Sequence, residues 1–164
     1  VFIVEIPKPF NKVDGKPFRK LKEDKEGKGV RARDEKGNLI PTSRDAQGNE
    51  ISQFETIEAT YLDMLSFFLN GIFDLVASKA KEDKDVKPLK LEDSTFATDI
   101  FRVIHVSEDT LELEKAPFEW LKKILTAYGV DAFGINAATM LEPIEKAEQQ
   151  DPFRAEARRE TKKK

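Results

Sequence analysis

Residues 51–79 read ISQFETIEATYLDMLSFFLNGIFDLVASK, and this stretch decides the fold. Apolar side chains at Phe54, Ile57, Tyr61, Met64, Leu65, Phe68, Ile72 and Val76 recur every three or four positions, the spacing of one helix face. Ser52, with Glu55 three residues on, matches a capping box, so the spacing predicts a helix over 52–79. About 25 helical residues span roughly 37 Å, enough to cross a small domain. Between 64 and 69 the apolar positions spread almost all the way round, which predicts burial on more than one side. Phe67, Phe68 and Phe73 read first as core packing; the other reading is an aromatic face awaiting a partner.

Beyond this helix, 79–87 is a charged linker ended by Pro88. Asp93-Ser94 opens a second predicted helix, 94–106, bearing Phe96, Ile100, Phe101, Val103 and Ile104. His105, the single histidine, falls where a packed or helix-ending residue is expected. Thr110 to Leu113 alternates, as either a strand or the lead-in to the next helix. Pro117 suits the first turn of a third helix, 116–128, with Gly129 as its stop. A fourth, 136–149, contains Pro143, which predicts a kink or a start nearer Leu141. The tail, 151–164, reads as a frayed helix or a disordered segment. The expected core is Phe54, Tyr61, Leu65, Phe68, Ile72, Phe101, Ile104, Leu121, Leu125 and Leu141.

Before the central helix, Val1 to Ile6 is a β-branched and aromatic run stopped by Pro7 and Pro9, a plausible strand. From there to Glu50 the chain is polar and punctuated by glycine. A loose repeat shows in NKVDGKPF from Asn11, RDEKGNLI from Arg33 and RDAQGNEI from Arg44. Each sets an Asp ahead of a Gly and an apolar residue just after, the chemistry of a tight β-turn. Calcium-loop spacing is not met at Asp34 or Asp45. Phe10, Phe18, Leu21, Val30, Leu39 and Ile40 are too widely spaced to form a core of their own. The arm is therefore expected to order on a neighbour, with Val1–Ile6 adding a strand there.

Composition narrows the chemistry. Hydrophobic residues make up 39% and charged residues 36%, so the core is small for the length. The absence of cysteine excludes disulfides, zinc knuckles and thiol nucleophiles, and one histidine excludes most triads and His-based metal sites. No glycine-rich phosphate loop occurs. Val1 to Val4 is too short for a signal peptide, and the longest nearly uncharged apolar run, 64–73, is short for a membrane span. The net charge of −3 is segregated: twelve basic against nine acidic residues in 1–50, ten against nineteen in 51–150, and six against three in 151–164. An acidic body with basic ends favours protein over nucleic acid as partner.

The order of features carries a resemblance. A first strand and Asp-Gly turn precede a Leu/Phe-rich helix and a charged linker. Then come FATDIFRVI from Phe96, LELE from Leu111, WLKKIL from Trp120, FGINA from Phe133 and Leu141-Glu142. This pattern resembles a class of short tailed-phage proteins that lack an assigned enzymatic activity, and the polar insertion at 22–50 departs from it. The resemblance implies a virion-associated or assembly component, in the host cytoplasm or the virion.

The expectations are these. The fold is α-rich α+β: an extended polar arm with short strands and hairpin turns (1–50), a helical domain of four helices (51–150) and a charged tail (151–164). The function is non-enzymatic protein–protein contact with its own or other assembly subunits, without cofactor, metal or membrane. Its contact residues are Val1, Phe2, Ile3, Val4, Phe10, Phe18, Phe67 and Phe73. The alternative is a small regulatory or nucleic-acid-associated protein using its basic ends.

Overall fold

The computed structural model describes residues 1–149 and is a mixed α+β domain with a projecting β-ribbon; the expectation for 151–164 lies outside the described residues. Helix α1 is Tyr61–Glu82. It starts nine residues later than predicted because the operative cap is Thr60. The Thr60 hydroxyl accepts from the Asp63 N–H, and the Asp63 carboxylate accepts from the Thr60 N–H at 2.8 Å. Ser52 and Glu55 belong instead to the preceding strand region, so that part of the long helix is corrected. Phe54 accordingly leaves the expected core and is 42% exposed.

Helix α2 is Leu91–Ile104, capped at its end by His105, whose N–H bonds the Phe101 carbonyl. The helix count is three, where four were expected, because the last two predicted helices form one helical run, α3. Its limbs are Lys115–Phe133 and Ala137–Gln149, joined by the 3-10 turn Gly134–Asn136. Gly129 does not stop the first limb; it lies inside it, where an added Cβ would stand 3.6 Å from the Ala137 Cβ. Gly134, at φ +56°, makes the break. The second limb runs helical from Ala137 through Pro143, so no start near Leu141 is observed.

Strand β1 (Phe2–Glu5) pairs antiparallel with the strand Thr110–Leu113 of the same chain, Val4 opposite Leu111. The N-terminal strand is therefore ordered on its own body, with Thr110–Leu113 as its one partner among the described residues. Val4, Leu111 and Leu113 pack into one core with Tyr61, Leu65, Phe68, Ile72, Ile100, Phe118, Leu121, Met140 and Ile144. The Tyr61 hydroxyl donates to the Met140 carbonyl at 2.8 Å, tying α1 to the second limb of α3; burial pushes this phenol far above its ordinary pKa. Two helical stretches, Tyr61–Glu82 and Lys115–Ala147, are long and apolar enough to cross a membrane by length and composition alone. In this fold their apolar faces supply much of the core.

Candidate interaction surface

The polar region that the repeats mark out is built from hairpins. Four of them are closed by glycines at positive φ: Gly15, Gly27, Gly37 and Gly48, all between +79° and +83°. In the last three, an Asp heads the turn. The Oδ1 of Asp24 accepts from the N–H of Glu26 and Lys28, that of Asp34 from Lys36 and Asn38, and that of Asp45 from Gln47 and Asn49. Asn49, through its backbone and side-chain N–H, leads the interactions that hold the Asp45 carboxyl below its ordinary pKa. The copy at Asp24–Gly27 is one that the sequence repeat passed over. Its signal was present as Asp-x-x-Gly-Lys, the pattern that Asp34 and Asp45 continue with Asn.

The first hairpin is docked on the body. Phe10 and Phe18, at its two ends, stack at 4.7 Å, and Phe10 meets Tyr61 edge-on at 5.3 Å. At its tip the Val13 N–H donates to the Asn136 Oδ1.

The rest leaves the body as a two-stranded ribbon. Its return strand, 50–59, includes β4 (Glu50–Ile51) and β5 (Thr56–Glu58). It is hydrogen-bonded in turn to 18–22, which contains β2 (Arg19–Leu21), to 30–32, and to β3 (Ser43–Arg44). The hairpins at 23–29 and 33–39 branch from the outgoing side, and 44–50 forms the tip. At about 3.3 Å per residue the ribbon reaches roughly 30 Å. From Arg19 to Glu58 no residue is buried.

Where the ribbon joins α1, the two enclose an open groove of about 650 Å³. Its apolar lining is Leu21 and Ile57 from the ribbon with Met64 and Phe67 from α1. Phe67 is 61% exposed, although its ring centroid lies 6.4 Å from that of Phe133. Lys20 pins the groove from within by a 2.7 Å ion pair to Asp63. Burial works to raise the Asp63 pKa, but the hydrogen bond and charge of Lys20, with the bonds of Thr60, outweigh it and hold this carboxyl low. The remaining bases of the ribbon are largely engaged at short range. Lys22 pairs with Glu55 and Lys28 with Glu26, while Arg19, Arg31 and Arg33 donate to the carbonyls of Thr56, Ile40 and Gly37.

The eight expected contact residues divide. Val4, Phe10 and Phe18 are buried in the chain's own core. Phe2 stacks on Phe118 at 4.1 Å, Ile3 is half-buried in β1, and Phe73 packs partly buried against the core. These six pack within the chain, Phe2, Ile3, Val4, Phe10 and Phe18 because β1 and the first hairpin close onto the body, and Phe73 from α1. Val1 and Phe67 remain exposed, and Phe67 lines the groove. Among the described residues no three His, Cys, Asp or Glu side chains gather as a metal site. Another depression, beside the linker, is lined by Trp120, whose indole N–H donates to Asp93 Oδ1 at 2.7 Å. Asp93 Oδ2 accepts from the Lys90 N–H at the start of α2, so this carboxylate fastens α2 to α3. Compared with known proteins, the chain matches no family model, no curated protein and no solved structure.

Proposed function

We propose that this chain is a non-enzymatic protein–protein interaction component that works by shape and contact, in the setting its sequence resemblance implies, a phage virion or its assembly. The observation that carries the reading is the groove at the foot of the ribbon, where Leu21, Ile57 and Phe67 stand exposed together on two elements. Apolar groups clustered in a concave, polar-rimmed surface suit a protein partner. The reach onto a neighbour belongs to the ribbon, 19–58, rather than to the Val1–Ile6 strand. The alternative of nucleic-acid binding is less well supported, since the bases between Lys20 and Arg33 are largely spent on local carboxylates and carbonyls.

Replacing Phe67 with a photo-crosslinking phenylalanine analogue, in cells that carry the native assembly, tests the reading. Discrete protein adducts are expected at this position and not at the exposed Leu91 or Val106 of the body. Adducts to RNA or DNA, or none beyond those at the control positions, would overturn it.

A further inference from the structure

The return strand of the ribbon has one edge spent and one edge open, and the alternation is regular along its length. Odd-numbered residues carry the ladder. Gln53 and Glu55 accept from Ala32 and Lys22, Glu55 donates to Val30, and Ala59 donates to Phe18. Ile57 sits opposite Lys20 and Ile51 opposite Ser43 in the same phase. The N–H and C=O of Ser52, Phe54, Thr56 and Glu58 must therefore point away from the outgoing strand. The outgoing side is interrupted by two branching hairpins, whereas 50–58 is continuous and holds neither proline nor lysine. Both are common means of closing an edge. Thr56 alone is partly covered, its carbonyl taking the Arg19 guanidinium at 2.6 Å; a carbonyl has a second lone pair to offer.

Side chains on the open-edge positions set a charge pattern. Glu50 and Glu58 stand at the two ends, and Ser52, Phe54 and Thr56 lie between them. Neither glutamate has an ion pair among the described residues, although each faces an arginine across the ribbon, Glu50 opposite Arg44 and Glu58 opposite Arg19. Phe54 is held in place by Gly29, where an added Cβ would come within 3.1 Å of the ring.

We infer that the open edge at 50–58 accepts an extended protein segment as an added β-strand, with an apolar residue opposite Phe54 and a lysine or arginine four residues to either side. This rests on the protein-contact reading and names the partner's chemistry. Main-chain bonds to Ser52, Phe54 and Thr56 supply the docking, and the paired carboxylates choose basic over acidic ends. A second copy of this chain fits less well, because the symmetric antiparallel register centred on Phe54 sets Glu50 against Glu58 of the other copy.

The test uses the isotope-labelled chain and two nine-residue peptides of alternating threonine and valine, one ended by lysines and the other by glutamates. Amide resonances of Ser52, Phe54 and Thr56 are expected to shift with the lysine-ended peptide, which binds about tenfold more tightly than the other. The double variant Glu50→Lys, Glu58→Lys, both surface changes, should reverse that preference. Equal binding of both peptides, shifts confined to the groove at Phe67, or no shift at millimolar peptide would overturn the inference. So would the same shifts on concentrating the chain alone, which would assign the edge to a second copy. Crosslinking at Phe67 is independent of all these outcomes, so the edge can fail while the protein-contact reading stands.

Discussion

Asp63 joins three functions in one carboxylate: it caps α1, anchors Lys20 of the ribbon and lines the groove. Its pKa is depressed in the folded chain, so the unfolded chain binds the proton more readily. The stabilisation is complete above the ordinary carboxylate range and is lost as pH falls below about 4, through the lowered value. Asp63→Asn should therefore be less stable than the parent at pH 7 and converge on it in acid, as followed by denaturant titrations across pH. An unchanged difference at pH 7 and pH 2.5 would show that the ion pair and cap contribute nothing through charge. Lys20 and Asp63 are 43 residues apart, and neither carries a sequence signal that predicts the pair. The Thr60–Asp63 box was visible in principle, but it competes with Ser52–Glu55, a stronger capping match just upstream.

Among the elements, the ribbon turns make the sharpest claim. Gly37 sits at φ +81° with open space around its Cβ position, so an alanine there meets backbone strain and no clash. Gly37→Ala should cost the hairpin about 1–2 kcal/mol. Amide exchange within 33–39 should then quicken roughly tenfold, while the thermal midpoint of the helical body stays unchanged. A lowered body midpoint would mean that ribbon and body unfold as one unit. The turns themselves were legible because an Asp-to-Gly spacing is local chemistry. The helical body was legible in outline for the same reason, since three-four periodicity is written within one segment. The start of α1 was not. Phe54 and Ile57 continue the helical spacing but pair with Arg31 and Lys20, partners far off in sequence that periodicity cannot register. The same non-locality hid the fate of β1, whose partner lies more than a hundred residues away. Five of the six contact residues that pack within the chain, Phe2, Ile3, Val4, Phe10 and Phe18, follow from that one pairing and the hairpin beside it.

At the scale of the molecule, a compact helical body carries a ribbon in which forty consecutive residues, Arg19 to Glu58, include none that is buried. An isolated two-stranded ribbon is marginally stable in water, and ordering each residue costs about 1–2 kcal/mol of backbone entropy. The proposed contact surface lies there and at the groove beneath. Amide hydrogen exchange, mapped by residue on the dilute chain and again on the chain in the proposed assembly, tests the proposal. Slow exchange is expected throughout the body in both states, including the Val4–Leu111 pairing, with a ribbon that exchanges fast alone and slowly once assembled. A ribbon as protected as the body in the dilute monomer, or one unprotected in the assembly, would contradict it.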